Sequence, residues 1–136
     1  LIYGPIVDSM SLADADAIFY GEYDYGHAGH SVSLAGDVNG DGYDDILIGA
    51  CLSSHEGHCA GKAYLFFGPV SGSKRLSSAD VVFVGEHDYD RAGYAVSLAG
   101  DINSDGYYDL LIGAPHNDDA GDDAGKVYLI YGGPGP

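Results

Sequence analysis

The chain twice sets oxygen-bearing side chains at alternate positions around a glycine. In "DVNGDGYDD" they are Asp37, Asn39, Asp41 and Asp45, with Gly42 at the sixth place; in "DINSDGYYD" they are Asp101, Asn103, Asp105 and Asp109, with Gly106 at the sixth. Carboxylates this close repel one another, so the loop must either hold them in water or give them a cation. Alternate residues of a tight loop can point at a common centre, and the seventh residue, Tyr43 or Tyr107, can add its backbone carbonyl. An all-oxygen set suits calcium, which takes about six to eight oxygens at about 2.3–2.6 Å, ahead of magnesium, whose stricter octahedron retains water. The loop is not an EF-hand. The bidentate Glu expected at its twelfth position is Ile48 in one copy and Ile112 in the other, and no helical pattern flanks either.

Such loops must be carried by short elements, and the chain repeats those elements at an offset of 64 residues without a gap. Between Gly26–Ala50 and Asp90–Ala114, 17 of 25 positions are identical. The opening "LIYGP" matches "LFFGP" (Leu65–Pro69), which in turn matches "LIYGG" (Leu129–Gly133). Apolar runs bounded by Gly, Asp and Asn read as strands: "AGHSVSLAG" and "GKAYLFFG" alternate, "DILIGA" is continuous as in a strand buried on both faces, and "ADVVFVGE" completes a set of four. Helix signals are weak, and the strongest, "SLADADAIF", reads equally as a turn leading into a strand. A four-stranded unit with one nearly continuous apolar strand cannot bury both faces alone, which points to an all-β propeller built of antiparallel blades. The repeats divide the chain as about 1–64 and 65–128, with a last strand at 129–132 and a Gly/Pro tail, in one propeller module spanning 1–136.

Two copies of D-x-N-x-D-G-x-x-D followed by "ILIGA" or "LLIGAP", each preceded by "AGHSVS" or "AGYAVS", resemble FG-GAP repeats, the blades of the integrin α-subunit β-propeller and of many bacterial extracellular proteins. The resemblance spans nearly the whole chain. It implies calcium in each loop, on the side of the propeller opposite the face where ligands often dock, and assigns as ligands Asp37, Asn39, Asp41, the Tyr43 carbonyl and Asp45, then Asp101, Asn103, Asp105, the Tyr107 carbonyl and Asp109. It further implies an extracellular or cell-surface adhesion or ligand-binding scaffold with no catalytic role. Two departures lie outside the loops: the family's Phe-Gly is Ala28-Gly29 and Ala92-Gly93, and its Gly-Ala-Pro becomes Gly49-Ala50-Cys51 in the first repeat.

With 5 Lys+Arg against 21 Asp+Glu, the formal net charge of −16 repels nucleic acid and anionic membrane surfaces and favours divalent cations. No segment has the length and apolarity of a membrane span. "LIYGP" has neither a basic region nor an initiator Met, and the chain reads as a mature or excised piece. Cys51 and Cys59 bracket "LSSHEGH"; a disulfide closing this loop is expected, with a zinc site that adds His55 and His58 as the competing reading. The equivalent loop, Pro115–Gly125, carries Asp118, Asp119, Asp122 and Asp123, which reads as a solvated acidic turn, or as a place for a further cation or a basic partner. His27, His30, His87 and His116 accompany no nucleophile elbow, H-E-x-x-H or phosphate loop, which leaves a carbohydrate-cleaving propeller, of the polysaccharide-lyase kind, as the enzymatic alternative. A protein or glycan is the expected ligand.

Two blades cannot close a ring. Either the chain is an excerpt of a longer propeller, or copies join as a homo-oligomer into a six- or eight-bladed ring, the strand Asp16–Glu22 of one completing the Ala92–Tyr131 blade of the next. In that arrangement Leu1–Gly4 duplicates Leu129–Gly132 and is expected to be displaced.

Overall fold

The structure, a computed structural model of the chain, describes residues 1–2, 4, 9–53 and 58–135. Among the described residues nine strands follow one another: β1 (Ala17–Tyr20), β2 (Ala28–Gly36), β3 (Asp45–Ala50), β4 (Lys62–Phe66), β5 (Gly72–Arg75), β6 (Val81–Val84), β7 (Ala95–Gly100), β8 (Asp109–Ala114) and β9 (Lys126–Ile130). The weak helical signal at Leu12–Asp14 resolves into one 3₁₀ turn, capped by the Ser11 side chain, and a second such turn covers Leu76–Ser78.

Blade 1 is the antiparallel sheet β2-β3-β4-β6, the four strands named from the sequence, and blade 2 is β7-β8-β9. Registers repeat with the sequence offset: Ile48 pairs with Tyr64 as Ile112 pairs with Tyr128. The continuous apolar run of β3 is explained by its two covered faces. One face, with Leu47, Ala63 and Leu65, packs on Val96, Leu110 and Ile112 of blade 2. The other, with Ile48, Ala50, Tyr64 and Phe66, packs on Ala17, Val70 and Leu76. Between the blades the Ser31 and Ser33 hydroxyls accept the amides of Val96 and Leu98, so β2 and β7 meet without leaving those donors unpaired.

Strand β5 was not legible in "GSKR", which has no apolar alternation; it forms because β1 offers an edge, on which it lies in parallel from Ala17↔Gly72 to Tyr20↔Arg75. The other edge of β1 holds Leu1, which exchanges both backbone hydrogen bonds with Ala17, at 2.8 and 3.2 Å. Leu65 and Val81 occupy the same register in blade 1. Leu1 is therefore paired within the single chain, and β1 packs on blade 1 through Ala17.

Candidate metal centre

Both D-x-N-x-D-G loops are turns at the same end of their blades, joining β2 to β3 and β7 to β8. Their shape requires left-handed backbone at Gly36, Gly40 and Gly42 (φ +66°, +80° and +89°), and at Gly100, Ser104 and Gly106 (φ +81°, +61° and +92°). Glycine adopts this conformation without steric cost, which accounts for its place at the sixth position of each loop.

The first acid of each loop is the hub. Asp37 accepts the amides of Gly40 (2.6 Å) and Asp41 (3.0 Å) on Oδ1 and that of Gly42 (2.9 Å) on Oδ2. Asp101 does the same with Asp105 and Gly106, at 3.0 and 2.9 Å. Asn39 accepts the Asp41 amide and donates to its carboxylate, and Asn103 repeats this with Asp105. Asp41 and Asp105 then accept the amides of Tyr43 and Tyr107, the residues whose carbonyls stand at the seventh position.

The last acid is of a different kind. Asp45 and Asp109 are fully buried at the start of β3 and β8. Asp45 accepts Val38 from its own loop and Gly68 from beyond β4, both at 2.9 Å; Asp109 accepts Ile102 and Gly132. Burial pushes the Asp45 carboxyl up, against the pull of its two amide donors, and the nearby charges of Asp41 and Asp37 push it further. A cation among the three would reverse that repulsion.

The ten sequence-predicted ligands thus fall into two loops, each tied together through its own amides. Within a loop the three carboxylates do not bring one oxygen each within 4.8 Å of the others; among the described residues, Glu86, His87 and Asp119 alone form such a trio. In each loop the first acid is taken up by backbone N–H groups. The donor set is hard oxygen throughout, and space is open beside Gly42 and Gly106, where a Cβ would meet nothing within 4 Å. By donor chemistry the loops suit a calcium-like ion.

The Glu86, His87 and Asp119 trio has its cation already. Lys126 Nζ lies 2.8 Å from Glu86 and 2.7 Å from Asp119, which holds the Asp119 carboxyl below its usual range. The acidic loop therefore meets a basic group, but one from its own blade. His116 sits 2.6 Å from Asp123, and His30 Nδ1 3.1 Å from the Tyr94 carbonyl oxygen.

Cys51 and Cys59 are free thiols, so the disulfide expectation is not met. The far end of their loop is instead pinned to blade 2, where the carbonyls of His58, Cys59 and Ala60 accept the amides of Tyr89, Arg91 and Ala92. Burial pushes the Cys51 thiol up. His55, the other member of the zinc reading, lies outside the described residues, and no Cys–His cluster forms among those described.

Two features were missed. The first loop is braced by the second blade: the Asp37, Val38 and Asn39 carbonyls accept the amides of Tyr108, Gly133 and Gly135, and the Tyr107 and Tyr108 rings cover Gly40 and Gly36. A partly buried network also joins Glu22 to Lys62 (3.2 Å), Tyr64 (2.7 Å) and Tyr23 (2.8 Å). Its signal was present in the repeat, since the Glu22–Lys62 pair returns 64 residues on as Glu86–Lys126.

Comparison with known proteins agrees with this geometry. The FG-GAP repeat family matches residues 28–66 and 92–130, each running from the first strand of a blade to its third. The chain is 36% identical to integrin alpha-5 of Xenopus laevis over 122 residues, covering 86% of this chain and 11% of that protein. It is 38% identical to integrin alpha-IIb of Mus musculus over 118 residues, covering 83% and 11%. Integrin alpha-8 of Gallus gallus is 36% identical over 136 residues, covering 96% and 12%. The chain spans about a tenth of the length of these relatives.

Proposed function

Because the chain belongs to the FG-GAP repeat family, we propose that it is a calcium-binding β-propeller module that serves outside the cell or at its surface as a scaffold for adhesion or ligand binding. The observation that carries this reading is the pair of amide-tied acidic loops, each closed by a buried aspartate that only hydrogen bonds and a nearby positive charge can stabilise. The ligands are Asp37, Asn39, Asp41, Tyr43 through its carbonyl and Asp45, and in the second loop Asp101, Asn103, Asp105, Tyr107 and Asp109. The ion's part is to neutralise three carboxylates per loop. The chain's own residues fix the turn through Asp37 and Asp101 and anchor it to the following strand through Asp45 and Asp109.

The scaffold reading is favoured over the enzymatic one because the acids most suited to chemistry are already engaged: Glu22 by Lys62 and two tyrosines, Glu86 and Asp119 by Lys126. The propeller is completed by further blades of the same kind, and its partner is a protein or glycan docking at the end opposite the cation loops. Thermal unfolding with and without calcium tests the proposal. At a free concentration about 100 times the dissociation constant, each site stabilises by about 2.7 kcal/mol. A midpoint that rises with calcium and returns with chelator supports the reading; a midpoint indifferent to both refutes it.

A further inference from the structure

The two acidic loops are joined to one another through backbone, ligand residue to ligand residue. The Tyr107 carbonyl stands at the seventh position of the second loop, and the Tyr108 amide, the other end of the same peptide unit, donates to the Asp37 carbonyl at 3.2 Å. A peptide unit is planar and turns as one body, so a restraint on its carbonyl is also a restraint on its amide. Asp37 is the first ligand and the hub of the first loop. The Tyr107 ring lies over Gly40 of that loop, and the Tyr108 ring over Gly36.

A second connection joins the two buried acids. Asp109 accepts the Gly132 amide at 3.0 Å, the next amide, that of Gly133, donates to the Val38 carbonyl at 2.9 Å, and the Val38 amide donates to Asp45 at 2.9 Å. These hydrogen bonds lead from the ninth position of one loop to the ninth of the other. Position 132 has to be glycine for this path to exist: a Cβ there would collide with the Tyr108 and Val38 carbonyls, one from each loop.

Charge alone would set the two sites against each other. A loop of three carboxylates that has taken up a divalent ion is less negative than an empty one, and so attracts a second ion less strongly. Salt shortens the reach of that effect to about 8 Å at physiological ionic strength without changing its sign. A gain in affinity when the neighbouring loop fills must therefore travel through contacts.

We propose that the two loops bind calcium cooperatively, a filled second loop raising the affinity of the first through the Tyr107–Tyr108 peptide and the Gly132–Gly133 link. This rests on the calcium reading above and adds how its two sites regulate one another. An isolated first loop has to order its hub as it binds; one already held by its neighbour is competent in a larger fraction of molecules, and its apparent affinity rises accordingly. Coupling of binding free energies is reciprocal, so the first loop raises the affinity of the second by the same factor.

Calorimetric titration with calcium in about 0.15 M salt tests this on the wild type, Asp41→Ala and Asp105→Ala. Each variant gives the constant of one loop while the other is empty. The overall two-ion constant of the wild type should exceed the product of those two constants at least fivefold, the lower end of ordinary coupling. Where an alanine variant does not fold, Asp41→Asn or Asp105→Asn, which keeps an acceptor for the Tyr43 or Tyr107 amide, supplies the same constant. Gly133→Pro deletes the donor to Val38 at a position where a Cβ meets nothing within 4 Å; it should still bind two ions, with the coupling factor at least halved. A factor of one or below in the wild type would overturn the coupling, and an undiminished factor in Gly133→Pro would overturn its route. Two ions bound independently would sink the coupling and leave the calcium reading standing, whereas absence of calcium binding is the failure of that reading and takes the coupling with it.

Discussion

Leu65 and Leu129 occupy the same position of successive repeats, the same strand and the same register, and differ in what lies over them. Leu65 is 2% exposed in the core between the blades, whereas Leu129 is 41% exposed on the outer face of β9. Truncating a buried leucine removes about three methylene equivalents at about 0.8 kcal/mol each and leaves a cavity that a close-packed joint cannot fill. Leu65→Ala should therefore cost about 3 kcal/mol, which for a chain of this length lowers the thermal midpoint by about 10 °C. Leu129→Ala loses less buried area and leaves no enclosed cavity, so about 1 kcal/mol or less is expected. Urea denaturation in saturating calcium, at concentrations dilute enough to hold one mass, reads both. Equal losses for the two variants would refute the claim that blade 1 is clamped by blade 2, since the substitutions are otherwise matched.

Three further outcomes follow from the same geometry. Burial works against the Glu22 carboxylate, but hydrogen bonds from Tyr64, Tyr23 and Lys62 win and hold its pKa below the usual value; the stability this supplies is full above the unfolded pKa and is lost as pH falls through the lower folded one, so Glu22→Gln should flatten the acid limb of a stability–pH profile measured below about pH 4.5. An unflattened limb would show that the network contributes nothing there. Ser104 is held at φ +61° where the first loop has glycine, and Ser104→Gly should stabilise by about 0.5–1 kcal/mol in urea denaturation; a destabilised variant would contradict the strain. Tyr108 braces the first loop through its ring on Gly36 and its amide on the Asp37 carbonyl. Tyr108→Ala should weaken one of two calcium sites severalfold by calorimetry, and two unchanged sites would remove it from that role.

The four strands of blade 1 were legible because their apolar pattern differs by position: alternation in "AGHSVSLAG", continuity in "DILIGA". Strand β5 was not, because "GSKR" pairs through its backbone alone and its side chains record nothing of it. The turn after the first strand of each blade was legible from the glycine at its sixth position, and Asp45 and Asp109, at the ninth, are buried. What spacing cannot convey is that the first acid of each loop is taken up by backbone amides, or that the first loop leans on Tyr107, Tyr108 and the glycine tail from a blade 64 residues away. The cysteine pair misled for a related reason. Its even spacing around a loop suggested closure on itself, whereas the loop's backbone is committed to the neighbouring blade.

Isothermal titration of the calcium-free chain with calcium tests the central claim most directly. Two ions per chain are expected, one per loop, falling to one in Asp41→Ala or Asp105→Ala and to none in the double variant, each of which stays folded by circular dichroism. No heat of binding in the wild type, or two ions retained by the double variant, would contradict the assignment of these loops as the metal centre.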